Sequence, residues 1–402
     1  MEPSRAVRTA LSAWILLTIA IVSSIVFIQL RWGQKGFDLF IQQWPLTTLR
    51  ITLGSVAMTW SLVGLLLYFL QAKRVNSSNI FAVSGFFIAC WAYLNSLNEH
   101  YRYGDYTYYQ EAAVGLIRNK HFPDTYFYPP FWATVLRPIA LLEPSTFLLI
   151  LWLVNFLSFM TFFVLLYSVL KKYGFSSQLA GLIATFFVLI NAPLLRTLDY
   201  VQVNIHVLNF VFASLLLFEK RPFLSALMLA FAIHLKASPI LLALAFLPEK
   251  DWRWLAWLGL NILLIGSVTV FTNGFTPFLD FLQNSQILAA SINTTFHDTS
   301  FDSFLRFIGP FLHIEDLAVH ILIYAAKVLL MAATLWIVVL SVKNQTFYES
   351  KERGARLLNA IPPLFILMTL ASPIVWEHHG IFVALPFLLM LKKLEFPSEW
   401  LW

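Results

Sequence analysis

Asp105 lies in the stretch Tyr101-Arg-Tyr-Gly-Asp-Tyr-Thr-Tyr-Tyr-Gln-Glu, where a single carboxylate is set among Tyr103, Tyr106, Tyr108 and Tyr109. A carboxylate beside partly apolar groups can take a proton from a hydroxyl. The plainer role for the same residue is to cap a helix while the tyrosines form an interfacial belt. Further along, Tyr126-Phe-Tyr-Pro-Pro-Phe-Trp132 stiffens the chain with two prolines and offers flat aromatic faces. Those faces suit a sugar or an isoprenoid chain, and equally suit anchoring at a membrane surface. Gln202, His206 and Asn209 fall at i, i+4 and i+7, one helical face, which must meet another helix or a wet cavity. Lys236 follows His234 and precedes Pro239 in an apolar setting. It requires a negative partner, either a carboxylate such as Asp105 or Asp199 or a ligand phosphate. His378 and His379 close Ser372-Pro-Ile-Val-Trp-Glu-His-His and can donate hydrogen bonds to phosphate or shuttle a proton. No carboxylate–histidine cluster has metal-ligand spacing, so no metal or other cofactor is expected.

The elements that must position these residues are membrane helices. The chain is 59% hydrophobic and only 12% charged, against about 25% charged in a soluble domain, and its mean hydropathy is +0.73. Several apolar runs approach the roughly 20 residues that cross a bilayer, and backbone in hydrocarbon must satisfy its own hydrogen bonds. The fold class is therefore all-α, a polytopic integral membrane protein. Spans are expected near 9–30, 50–71, 79–97, 144–170, 176–193, 202–218, 254–272, 317–342, 357–371 and 379–392. The apolar stretch 223–248 is interrupted by His234, Lys236 and Pro239 and reads as a broken hairpin of two half-spanning helices, giving about twelve segments. The first run is longer than a signal-peptide core and reads as a retained span. Cys90 is the single cysteine, which excludes intrachain disulfides, cysteine-based zinc sites and iron–sulfur clusters.

With the N-terminus in the cytoplasm, the short loops holding Lys171, Lys172, Lys220, Arg221, Lys250, Arg253, Lys343, Arg353 and Arg356 also fall inside, as the positive-inside rule requires. The net charge of +6 is thereby explained without a nucleic-acid partner. The opposite side collects Asp105, Arg196, Lys236, Trp376, His378 and His379, which implies a cavity there. Thr107 and Gln110 fit a capping box, so a helix is expected to begin there and run to about Arg118, with Ala112, Ala113, Leu116 and Ile117 as a stripe able to lie on the membrane interface.

Five motifs occur in an order that resembles glycosyltransferase family 87, polyprenyl-phosphate-mannose-dependent mannosyltransferases of the C-type glycosyltransferase fold. Gly104-Asp105 is similar to the family's first-loop Gly-Asp, and Tyr128-Pro129-Pro130 to its Tyr-Pro-Pro. Gln202 and Asn204 fit Gly-Gln-x-Asn, except that Val201 replaces the glycine. Lys236 and Pro239 fit Lys-x-x-Pro, while Ser372, Pro373, Trp376, His378 and His379 fit Ser-Pro-x-x-Trp-x-His-His. The resemblance spans about 79–395; residues 1–78 read as two additional N-terminal transmembrane helices, and 79–402 as the core with outer catalytic loops near 98–143 and 273–316.

The resemblance implies a hexosyl, in particular mannosyl, transfer from a polyprenyl-phosphate carrier to a glycolipid or glycan acceptor. It implies Asp105 as catalytic base, inversion at the sugar, and Lys236, His378, His379 and Arg196 on the donor phosphate. Tyr109, Tyr126, Tyr128, Gln202, Asn204, His206 and Trp376 are the expected substrate-binding residues. The expected location is the plasma membrane, with membrane lipids around the chain and the active site on the non-cytoplasmic face. A lipid-linked-sugar transporter or flippase would also place charge in a helical cavity, although no internal repeat is evident.

Overall fold

The computed structural model describes residues 5–41, 104–290, 300–308, 316–372 and 377–393, with positions 60, 64, 67, 68 and 375 besides. Among the described residues every regular element is helical. Helix α1 (Arg5–Ile41) contains the first expected span and continues past it. The span expected at 79–97, most of that at 50–71, and Trp376 lie outside the described residues. Next come α2 (Asp105–Arg118), α3 (Pro130–Leu136), α4 (Pro144–Lys172), α5 (Ser177–Ile190), α6 (Ala192–Asp199), α7 (Asn204–Leu217) and α8 (Pro222–Leu235). A 3-10 helix (Ser238–Phe246) separates α8 from α9 (Trp252–Asn273), which is followed by α10 (Thr276–Ala290), α11 (Phe301–Ile308), α12 (Asp316–Lys343) and α13 (Ala355–Leu370). A second 3-10 helix (Glu377–Val383) leads into α14 (Ala384–Lys393).

Local sequence explains the boundaries. Pro144 and Pro222 open α4 and α8, where a missing N–H costs nothing. Ser176, Asn191 and Asp251 cap α5, α6 and α9 by accepting from the Leu179, Leu194 and Trp254 amides. At the end of α8, Lys236 is extended (φ −152°, ψ 127°), and Pro239 has no N–H with which to continue the helix. The expected break at Lys236 and Pro239 is present, and the segment beyond it is a 3-10 helix rather than a second α-helix.

Three described helices are long and apolar enough to cross a bilayer alone: Pro144–Lys172, Trp252–Asn273 and Ala318–Lys343. The α6–α7 pair, bent by 120°, makes a fourth candidate. Other expected spans are shorter apolar helices, Pro222–Leu235 and Ala355–Leu370 among them. This composition of full-length and part-length apolar helices fits a membrane protein, while the expected total of about twelve spans is not reached among the described residues.

The short helices start at a common level. Lys172, ending α4, donates to Glu219 Oε1 at 3.1 Å in the α7–α8 turn. Glu249 accepts from the Arg356 and Leu357 amides at 3.0 and 3.1 Å, and Arg353 pairs with Asp251. From this basic end α4 rises 29 residues, about 43 Å, whereas α7 and α8 rise 14 residues, about 21 Å. Asn209 of α7 reaches the Ser158 carbonyl at 2.7 Å, half-way along α4, which confirms the register. Helices α7, α8 and α13 thus stop part-way beside longer ones, and a small cleft lined by Lys236, Ser238 and His379 lies at the end opposite the basic turns.

The basic end of the bundle is held by a buried aromatic clamp. Trp254 is fully buried, stacks on Phe246 with ring centres 3.6 Å apart, and donates to Ser225 Oγ at 3.0 Å. Ser225 Oγ in turn donates to the Ser214 carbonyl at 2.7 Å, tying α7, α8, α9 and the first 3-10 helix together.

Two expectations near Asp105 are corrected. Helix α2 begins at Asp105 after Gly104, with no side-chain cap. Thr107 Oγ1 turns back to the Gly104 carbonyl at 3.1 Å, and Gln110 Nε2 donates to the Ala140 and Leu142 carbonyls at 3.1 and 2.8 Å. The expected capping box is absent because Gln110 reaches away from the helix start to the carbonyls of a distant loop. The stripe Ala112, Ala113 and Leu116 is buried in protein rather than laid on a membrane surface; Ile117 alone of the four is exposed.

Candidate functional site

Asp105 opens α2, and its backbone N–H donates to the Tyr200 carbonyl at 3.0 Å. Its carboxylate is loaded on one side. Oδ2 accepts from Tyr128 OH at 2.6 Å, from Gln202 Nε2 at 2.6 Å and from Tyr109 OH at 3.4 Å. Tyr128 OH also lies 3.1 Å from Gln202 Oε1, which closes a small ring of polar groups. Oδ1 has no donor among the described residues, and Asp105 keeps part of its surface open. Gly104 permits the close fit: a Cβ there would stand 2.6 Å from Tyr106 Cδ1, a ring that is itself 1% exposed.

Burial pushes the Asp105 carboxyl up from 3.8 to about 6; the Tyr128 hydrogen bond, the Lys236 charge and the Tyr109 hydrogen bond pull the other way. A carboxylate titrating near neutrality is poised for proton transfer.

Gln202 reaches this carboxylate through a tight turn. Tyr200 N donates to Arg196 O (3.0 Å), Val201 N to Leu198 O (3.2 Å) and Gln202 N to Thr197 O (2.9 Å), which ends α6 in the manner that usually takes a glycine. Val201 occupies that place with φ +54° and is buried. The turn expected of a glycine is therefore formed by a β-branched residue in a conformation such residues avoid.

Lys236 faces the same region from the hairpin tip. Its ammonium donates to Asn204 Oδ1 at 3.0 Å and stands 5.4 Å from the Phe382 ring centre. No carboxylate lies within ion-pair distance of it among the described residues, so the pairing with Asp105 or Asp199 considered from sequence does not form as a direct contact. Asn204 is fully buried, and its Nδ2 has no partner among the described residues. Lys236, Ser238, Ser372 and His379 line a cleft with Met368 and Phe382. His378 and His379 sit edge-to-face with ring centres 4.5 Å apart, and His378 lies 6.2 Å from the Tyr200 ring. Arg196 stands over that ring at 5.6 Å and 4.0 Å from Asp199.

Asp105, Tyr109, Tyr128, Gln202, Asn204, Lys236, His378, His379 and Arg196 thus converge at one end of the bundle. Tyr126 is buried behind them, with its ring 5.7 Å from that of Tyr128. His206 is placed one level deeper, at the α4–α7 interface, 2.7 Å from Ser158 Oγ and with its ring 5.6 Å from that of Trp132. Ser238 and the Tyr200 carbonyl were not singled out from sequence; their proximity in number to Lys236 and Gln202 was the available signal.

This carboxylate and lysine are carried by a helical bundle several of whose helices are long and apolar enough to cross a membrane, which is the build of a membrane protein. The family model of glycosyltransferase family 87 matches residues 126–393, so the chain belongs to that family and is a membrane glycosyltransferase. Asp105 precedes the matched region and is joined to it by the hydrogen bonds from Tyr128 and Gln202. No curated protein and no solved structure matches the chain.

Proposed function

We propose that the protein transfers a hexose, in particular mannose, from a polyprenyl-phosphate carrier to a glycolipid or glycan acceptor on the non-cytoplasmic side of the plasma membrane. The observation that carries this reading is a division of labour at one end of the bundle: a carboxylate with three donors on one oxygen and none on the other lies within electrostatic reach of an ammonium that pairs directly with no carboxylate among the described residues. A cation left over in apolar surroundings requires an anion, and a lipid-borne phosphate can enter sideways between helices.

Asp105 Oδ1 takes the proton from the acceptor hydroxyl as that oxygen attacks the anomeric carbon. The new C–O bond forms while the bond to phosphate oxygen breaks, and the electron pair leaves with the prenyl phosphate. Attack from the far face inverts the sugar, so a β-linked donor gives an α-linked product. The three donors on Oδ2 keep the carboxylate from rotating. Lys236, with His378, His379 and Arg196 nearby, stabilises the departing phosphate. The unpartnered Asn204 Nδ2 supplies a donor to a phosphate or sugar oxygen. Tyr128 walls the sugar, backed by the fully buried rings of Tyr109 and Tyr126, which support it rather than touch substrate; Trp376 belongs to the same proposed set.

The test uses the full chain in lipid nanodiscs with radiolabelled polyprenyl-phosphate-mannose and membrane lipids. Sugar transfer that depends on Asp105 and Lys236 is the expected result. Movement of intact lipid-linked sugar across the bilayer without transfer, or near-normal turnover by Asp105→Asn, overturns the proposal.

A further inference from the structure

The segment from Asn119 to Pro129 carries Tyr126 and Tyr128 into the site without a helix or strand of its own. Such a segment exposes backbone groups that need partners outside any helix or strand ladder. They come from α10. Asp280 and Asn284, four residues apart on one helical face, grip the segment from the side away from Asp105. The Phe122 N–H donates to Asp280 Oδ2 at 2.8 Å, and His121 Nδ1 lies 3.2 Å from the same oxygen. Asn284 Nδ2 donates twice, to the carbonyls of Pro123 at 2.9 Å and of Tyr126 at 3.0 Å. The Tyr126 N–H itself donates to the Pro123 carbonyl at 3.0 Å, so one buried amide brackets a whole turn. Asn284 is 3% exposed. Two residues beyond that turn, Tyr128 makes its 2.6 Å bond to Asp105.

We propose that Asn284, assisted by Asp280, is a positioning residue of the transfer reaction: it fixes the 123–126 turn and thereby aims the Tyr128 hydroxyl at Asp105 Oδ2. The inference rests on Asp105 being the base. The double bond from Asn284 leaves the turn little freedom, and the rigid Pro129–Pro130 step follows directly after Tyr128. Tyr128 is therefore held from both sides, by α10 before it and by the start of α3 after it. A displacement of about 1 Å in a group that orients a catalytic base can cost about 100-fold in rate. Asn284 touches no reacting atom, so its effect must pass through Tyr128.

The experiment combines Asn284→Asp, nearly isosteric but without the amide donors, and Asn284→Ala with Tyr128→Phe, using the full chain in nanodiscs and polyprenyl-phosphate-mannose as donor. Either single variant should lower kcat about 10-fold or more with donor KM little changed. Each should also move the acid limb of the pH–rate profile upward, as Tyr128→Phe itself should, because the Tyr128 hydrogen bond helps keep the Asp105 carboxyl ionised. In the Tyr128→Phe background, Asn284→Asp should cause no further loss. An equal loss in both backgrounds, or unchanged kcat, overturns the proposal. Hydrogen exchange on the same samples reads the brace without turnover: amides of 121–128 should exchange faster in Asn284→Asp while α4 and α7 stay protected. Unchanged exchange there also overturns it. Should Asp105→Asn retain activity, the base assignment fails while the exchange result still decides whether Asn284 braces the turn.

Discussion

Replacing Asp105 by Asn should remove catalysis and stabilise the protein at the same time. An asparagine oxygen can accept the bonds that Tyr128, Gln202 and Tyr109 now give to Oδ2, so the local geometry is kept. What disappears is a carboxylate whose pKa burial has raised from 3.8 to about 6. A raised carboxyl binds its proton more tightly in the folded chain than in the unfolded one. Its stability contribution is therefore intact below 3.8, declines as pH rises towards 6, and stays lost above that. The difference corresponds to about 3 kcal/mol, a ceiling because Asp105 is partly open to solvent. Thermal denaturation in detergent should show Asp105→Asn melting higher than the parent at about pH 8, with a gap less than half as large at about pH 4.5. Transfer activity should fall at least about 100-fold, the usual share of a general base. An equal melting difference at both pH values would refute the buried-charge argument, and retained turnover would refute the base.

The same carboxyl sets the pH profile: kcat/KM should rise with pH, half-maximal near 6, since the base acts only when ionised. Lys236→Met removes a charge that favours the carboxylate, so the acid limb should move upward and donor KM should increase; a profile shifted downward would show that Lys236 does not face Asp105. Gly104→Ala introduces no backbone penalty at φ −114°, yet its methyl would press on Tyr106 at 2.6 Å. Activity should drop more than melting temperature, and equal losses would mean that Gly104 serves folding alone. Trp254→Ala empties the clamp over Phe246 and removes the donor to Ser225 Oγ, which should cost about 3–5 kcal/mol in unfolding measurements.

The site was legible in sequence wherever an ionisable residue interrupted an apolar run. Lys236 beside Pro239 and the Gln202/Asn204 pair stood out because hydrocarbon tolerates few such groups. The helices expected at 202–218 and 357–371 are present as α7 and α13, but sequence did not show that their 14 and 16 residues would stop beside the much longer α4 and α12. Gln110 has the spacing of a capping residue, and only the fold brings the Ala140 and Leu142 carbonyls within its reach. Asn284 was invisible for a related reason. Its partners are backbone carbonyls about 160 residues away, which leave no mark on side-chain type. Val201 is the reverse case, since its side chain argues against the left-handed turn that three hydrogen bonds nevertheless impose.

The unequal helix lengths carry a consequence for the surrounding bilayer. Long α4 and α12 set how the molecule sits across the lipid, while the ends of α7 and α8 set the level of Lys236, at which the proposed donor phosphate would arrive. Thickening or thinning the bilayer would tilt the long helices or deform the lipid around them, moving the headgroup plane relative to Lys236. Acyl-chain length in the host lipid thus becomes a lever on donor affinity that needs no change in the protein.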